Sequence, residues 1–229
     1  DCNRYLKFGA LLDKARAMGF DYLATGHYAR IEYTDDRWKL LRAQDSVKDQ
    51  SYFLFAIRAE DLPMLLFPLG NMTKEQVRQK AKEAGLHTAQ KAESQDICFV
   101  PEGDYGRVFG ERGRHIAPGD ITNLQGKILG KHRGIVNYTI GQRGGLGISA
   151  KRPLYVLKID AQNNRVVVGE KEELFSSGLI AEDWNLLTSA LPDEAEGKIR
   201  YRKKAARCLL RKVGDKLKVT FDEPQEAIT

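Results

Sequence analysis

The hydrophobic pattern of this chain changes character near residue 100, and that change limits the folds open to it. Before it, helical spacing of apolar residues alternates with short apolar runs. After it, helical periodicity stops, and short apolar runs are divided by glycine and polar turns. The first part therefore predicts an α/β unit and the rest predicts β-structure. At 229 residues there is room for more than one domain. The boundaries fall at 1–108 for the α/β part, 109–173 for a β-rich central domain and 174–229 for a partial β-barrel.

Leu6, Phe8, Leu11, Leu12, Ala15 and Met18 recur mostly at three and four, predicting a helix that stops at Gly19. Asp21 to Thr25 reads as a buried strand ending at Gly26-His27-Tyr28, and ligands of α/β sheets gather at the carboxyl ends of strands. Ile31-Glu32-Tyr33 should pair with Lys39 to Arg42 across the Asp35-Asp36 turn. The cluster Asp45 to Gln50 reads as a solvated loop and helix cap, and Thr73 caps a helix through Val77, Ala81 and Ala84 that Gly85 stops. From Leu86 to Phe99 the chain carries Cys98 into an extended apolar end.

Beyond this, Leu154 to Ile159 and Arg165 to Val168 read as a hairpin joined at Asp160 to Asn164. The run Tyr138 to Gly147 is glycine-rich, but no helical pattern follows it, so dinucleotide and Walker readings lack their context. Later short strands suggest a small barrel that stops before closing. One of them, Gly197 to Arg202, would put Arg200 and Arg202 on one sheet face with Tyr201 on the other. Arg200 to Lys204 is the densest basic patch of this region, read either as phosphate contact with stacking or as a solvated strand edge.

Three cysteines occur, with four histidines, and no CxxC spacing, which makes a poor structural-metal set. Cys208 sits in an apolar run, where a thiol behaves as a small hydrophobe. Cys2 and Cys98 are either two inert buried thiols or a redox pair joined by the fold, and composition alone favours the inert reading. So few cysteines fit a reducing compartment. The net charge of +6 favours a polyanionic partner such as nucleic acid. No apolar stretch is long enough to cross a membrane, and no signal-peptide pattern opens the chain. Without an initiator Met, and stopping just after a strand and turn, the sequence reads as an internal piece of a longer protein.

Together these segments resemble the tRNA-specific 2-thiouridylases, PP-loop enzymes of tRNA modification. The resemblance rests on Cys2-Asn3 with Lys7-Phe8, on Ala24-Thr25-Gly26-His27-Tyr28, and on Asp45-Ser46 with Lys48 to Leu54. It continues through Phe67-Pro68-Leu69-Gly70, Ser94 with Ile97-Cys98-Phe99, and Thr139 to Arg143 with Gly145-Leu146-Gly147. It implies a PP-loop, adenine-nucleotide α-hydrolase-like α/β domain, then the β-rich central domain and the partial barrel.

The resemblance further implies ATP-dependent 2-thiolation of a tRNA wobble uridine, with magnesium on the phosphates, and turns the two thiols into a redox pair. By position, Cys98 matches the persulfide carrier and Cys2 the partner that closes a transient disulfide with it. Gly26 matches an adenylate contact. His27, the loop Lys48, Asp49 and Gln50, and Arg200 with Tyr201 and Arg202 match tRNA contacts. No residue is matched to a metal. Implied partners are tRNA and a persulfide sulfur donor, either a cysteine desulfurase or a relay protein, in the cytoplasm or in a mitochondrial or plastid parent. The family's glycine- and serine-rich pyrophosphate loop is not in these residues, so 1–229 alone should not adenylate RNA. Rival readings are another PP-loop ATP pyrophosphatase, which needs no cysteine pair, and a non-catalytic RNA-binding module.

Overall fold

The computed structural model describes residues 2–87 and 117–228. They form two compact units, described separately. The first gathers residues 2–87, 181–193 and 212–217, and the second gathers 117–180, 194–211 and 218–228.

The first unit opens with a π-helical segment, Cys2–Leu11, that runs into α1, Leu12–Ala17. Phe8, Leu12 and Ala15 lie four and three apart and form a narrow buried stripe. Leu6, Leu11 and Met18, expected on the same face, are exposed. Gly9, with a non-helical φ of −106° and ψ of −105°, separates Leu6 from the later turns, while Leu11 and Met18 are the residues flanking α1 at its two ends. Gly19, at φ +77°, ends the helix in the left-handed conformation as expected.

Strand β1 is only Leu23–Ala24, half-buried then exposed, rather than a fully buried run. Next come β2, Ala29–Thr34, and β3, Arg37–Arg42, an antiparallel hairpin with Ile31 opposite Leu40. Its turn places Asp35 and Asp36 at φ of 51° and 54°, the paired positive values of a type I′ turn. Strand β4, Leu65–Leu66, pairs parallel with β1, and Thr25 N–H extends the ladder to Leu66 O at 3.0 Å. Helix α2, Lys74–Glu83, carries a full capping box between Thr73 and Gln76.

The core of this unit joins Phe8, Leu12, Ala29, Leu54, Ile57, Leu62, Leu65 and Phe67, with Leu187 packed against it. Asn185 Nδ2 donates to Phe55 O at 3.0 Å and to Ile57 O at 2.5 Å. At its edge Asp61 is 1% exposed and accepts from Arg16 Nη2 at 2.5 Å and Arg58 Nε at 2.8 Å.

In the second unit, β5 (Gly119–Thr122), β6 (Ile128–His132), β7 (Tyr155–Asp160) and β8 (Arg165–Gly169) form one sheet in the order β6-β5-β8-β7. The β5–β8 pair is parallel and the others antiparallel. Ile121, Val156, Val166 and Val168 fill its core with Ile135, Tyr138 and Leu146. Strands β9 (Phe175–Ala181), β10 (Glu194–Gly197), β11 (Ala206–Val213) and β12 (Lys216–Glu226) form a further sheet in the order β10-β11-β12-β9, with residues 181, 212–213 and 216–217 of it counted in the first unit. Among the described residues neither sheet closes into a barrel.

The expected strand Gly197 to Arg202 is corrected. Strand β10 ends at Gly197, and Lys198 to Lys204 is a turn closed by Lys203 N–H on Arg200 O at 3.1 Å. Arg200 is drawn out of strand geometry because its guanidinium serves backbone carbonyls elsewhere: Nε donates to Ala227 O at 3.0 Å and Nη2 to Ile140 O at 2.9 Å. The shared sheet face expected for Arg200 and Arg202 is therefore not formed.

Candidate functional site

The parallel pair β1/β4 delivers Thr25, Gly26 and His27 at the carboxyl end of β1, the ligand-binding edge of open α/β sheets. Gly26 is exposed and has no positive φ, and a Cβ there would meet only Leu69 Cδ1 at 3.7 Å. Neither backbone nor packing demands glycine at this point, so the space beside it is open to a ligand. Gly70 contrasts with it, since a Cβ there would lie 1.9 Å from Ala29 O.

His27 is 8% exposed, with its ring 5.7 Å from that of Phe8 and 5.8 Å from that of Phe67. Nδ1 lies 2.7 Å from Thr25 Oγ1, and Nε2 lies 3.5 Å from Lys7 Nζ. An ammonium is only a donor, so Nε2 accepts from Lys7 and Nδ1 carries the proton toward Thr25. Burial first, and the Lys7 charge second, lower the His27 pKa from 6.5 to about 4. The imidazole is thus neutral at physiological pH. Sequence reasoning found His27 from its place after a strand but missed Thr25 and Lys7 as its partners. Both residues lie in the motifs quoted above, but spacing alone gave no sign that they meet His27.

Cys2 begins the π-helical segment with an exposed free thiol. Five residues on, the i→i+5 repeat of this helix type, stands Lys7. Asn3 Nδ2 donates to Phe53 O at 3.0 Å and moors this start to the 51–54 turn. In the preceding loop, Gln50 grips Tyr28 twice: its Oε1 accepts from Tyr28 N–H at 2.9 Å and its N–H donates to Tyr28 O at 2.8 Å. Gln50 is thereby fixed one residue from His27. The Asp49 side chain is buried and accepts from Ala43 N–H at 3.0 Å and Ser51 Oγ–H at 2.8 Å, so its carboxylate is engaged in holding the loop. Lys48, next to it, is half-buried.

Cys98 lies outside the described residues. Cys208 is 3% exposed, with Sγ 3.5 Å from Ala195 O, and burial raises its pKa, which keeps it a thiol. In the second unit Tyr201 is half-buried under Lys198 Nζ, 5.4 Å from its ring centre, while Arg202 is exposed. The structure thus brings Gly26, His27 and Gln50 together in the first unit, with Cys2 reached along one helical segment. Arg200, Tyr201 and Arg202 form a separate group in the second. Among the described residues no three His, Cys, Asp or Glu side chains converge as a metal site, and no helix is long and apolar enough to cross a membrane.

Residues 1–102 match the family described as tRNA methyl transferase HUP domain, residues 109–170 the tRNA methyl transferase PRC-barrel domain, and residues 176–229 the aminomethyltransferase beta-barrel domain. All of the chain aligns at 52% identity with 62% of tRNA-specific 2-thiouridylase MnmA 1 of Syntrophus aciditrophicus. It aligns in full at 50% identity with 64% of the tRNA-specific 2-thiouridylase MnmA of Carboxydothermus hydrogenoformans, and at 48% with 66% of that of Acetivibrio thermocellus. The chain spans a little under two thirds of the length of these relatives. With three consecutive domain matches and identity near one half along its whole length, the chain belongs to the tRNA-specific 2-thiouridylase family.

Proposed function

We propose that the protein carrying this chain is a cytoplasmic tRNA sulfurtransferase that thiolates the 2-position of the wobble uridine in tRNAs of the Lys, Glu and Gln type. The observation that carries this reading is the line from thiol to strand end: an exposed Cys2, one π-turn from Lys7, whose ammonium meets His27 beside the unobstructed Gly26. The open space at Gly26 fits the close approach of an adenylate. ATP, its phosphates screened by magnesium, would there supply the activation that makes the uridine 2-oxygen a leaving group.

Cys98 receives sulfur as a persulfide from a cysteine desulfurase or relay protein. Its terminal sulfur bonds to the activated carbon as the carbon–oxygen bond breaks. The Cys2 thiolate then attacks Cys98 Sγ, the sulfur–sulfur bond breaks, and a Cys2–Cys98 disulfide remains while sulfur stays on the base. Alternatively Cys2 attacks first and frees hydrosulfide, which makes the same carbon–sulfur bond. A thiol reductant returns two electrons and two protons to the disulfide. Neutral His27, Lys48, Asp49 and Gln50, together with Arg200, Tyr201 and Arg202, serve tRNA binding, Asp49 by shaping its loop. The division 1–108, 109–173 and 174–229 is kept as the functional division, and residues 1–229 by themselves do not adenylate RNA.

The test is mass spectrometry of the chain after incubation with a persulfide donor. One added sulfur should map to Cys98, vanish in Cys98→Ser and persist in Cys2→Ser. An adduct on Cys208, or none on Cys98, refutes the sulfur-carrier reading.

A further inference from the structure

The glycine-rich loop after Tyr138 has no part in the chemistry above, yet it is among the most firmly held loops of the second unit. Gly141 N–H donates to Val156 O at 2.7 Å and Val156 N–H to Gln142 O at 2.9 Å. The Gln142 side chain accepts from Thr139 N–H at 3.0 Å and donates to Gly144 O at 2.8 Å. Arg200 clamps the carbonyl of Ile140. A loop fixed this way has already lost the conformational freedom that binding would otherwise remove.

Against this loop lies an open cleft of about 450 Å³, within the size range of ligand sites, whose wall is more polar than apolar. Its cations are Arg143, Lys151 and Arg152. Arg152 is spent on Glu170 at 2.8 Å. Arg143 and Lys151 are exposed, and among the described residues neither has a carboxylate within ion-pair distance. Charge also has a direction here. The cleft on the other side of Arg152, about 640 Å³, is lined by Glu170, Glu172 and Glu173 and repels anions. A polyanion is therefore drawn to the first cleft and kept from the second.

We propose that Arg143, at the hydrogen-bonded turn of Thr139 to Gly144, and Lys151, which lines the same cleft, form a cradle for the phosphodiester backbone of the RNA substrate. This rests on the reading of the protein as a tRNA-modifying enzyme and adds a second contact region to it, in the central β-rich part rather than at the turn carrying Arg200. Backbone phosphates position an RNA without reading its sequence. The cradle should thus contribute affinity that is sensitive to salt and indifferent to which tRNA is bound.

Fluorescence anisotropy of labelled tRNA, titrated with the chain over a range of salt concentrations, tests this. The double variant Arg143→Ala/Lys151→Ala should lower the slope of log Kd against log salt by about two charge equivalents. Lys131→Ala, whose ammonium is already paired with Asp120 at 2.6 Å, should leave the slope unchanged. An unchanged slope in the double variant, with tRNA still bound, overturns the cradle. So does an equal slope loss in Lys131→Ala, which would mark a general charge effect. Inorganic pyrophosphate that binds the native chain but not the double variant, and leaves tRNA binding untouched, would make the cleft a free-phosphate site and overturn the RNA assignment. A normal salt response with no sulfur on Cys98 would leave the cradle standing and remove the thiolation reading instead.

Discussion

His27→Gln should change how the first unit responds to acid. The native imidazole is held neutral between Phe8 and Phe67, with its pKa lowered from 6.5 to about 4 by burial and by Lys7. Unfolding releases the ring to its ordinary value, so between these two pH values the unfolded chain binds more protons than the folded one. Stability therefore rises with pH across that window: it is complete above about 6.5 and is lost as pH falls toward 4. At about 1.4 kcal/mol per pH unit, the span corresponds to about 3 kcal/mol. A glutamine can keep polar contact with Thr25 or Lys7 but cannot titrate. It gives up ring packing, which costs about 1 kcal/mol at neutral pH, and then removes the acid-side loss. The assay is urea unfolding followed by tryptophan fluorescence from pH 7 to 4. Both tryptophans, Trp38 and Trp184, belong to the first unit, so the signal reports on the part that holds His27. Native and variant curves should converge and then cross as pH falls. Parallel curves over this range, or the imidazole resonance that disappears in His27→Gln titrating near 6.5 in the native chain, would refute the reasoning.

Asp61→Asn should destabilise the same unit by about 2–3 kcal/mol, because charge-assisted bonds from Arg58 and Arg16 to a buried carboxylate are lost. Burial works to raise the Asp61 pKa, but the two arginines outweigh it and hold it below the usual carboxylate value. Its contribution is present above the ordinary value and lost as pH falls through the lowered one, so native and variant urea midpoints should draw together only in strong acid. Gly70→Ala drives a methyl into Ala29 O and should cost about 3 kcal/mol or more in thermal unfolding. Gly26→Ala should stay within about 0.5 kcal/mol of the native chain, and at the full length of its relatives should weaken ATP binding by calorimetry. A stability loss at Gly26 equal to that at Gly70 would contradict both.

Local rules were readable in the sequence and long-range ones were not. The stop at Gly19, the Asp35-Asp36 turn, the Thr73 cap and the hairpin at Asp160 to Asn164 are each set by a few neighbouring residues, and each forms as expected. Cys208 was legible as a core thiol from the apolar run around it. The exposed Leu6, Leu11 and Met18 were not, since Gly9 breaks the helix after Leu6, and Leu11 and Met18 fall at the two ends of the short α1. The turn at Lys198 to Lys204 was hidden because what reshapes it is Ile140 O, sixty residues away in sequence. At the candidate site, Gly26 and His27 could be placed after a strand. The burial of His27, the engagement of the Asp49 carboxylate and the Gln50 clasp on Tyr28 depend on packing that no spacing rule encodes.

The packing of Leu187 and Asn185 onto the first unit has a consequence for vectorial synthesis. These residues leave the ribosome about a hundred positions after residue 87, which at roughly 5–20 residues per second is a delay of about 5–20 s. Through that interval the carbonyls of Phe55 and Ile57 lack their amide partner and the apolar core lacks part of its cover. The nascent α/β part is then exposed to chaperones and proteases for longer than its place at the front of the chain suggests. The hairpin β2–β3, closed by neighbours in sequence, has no such wait.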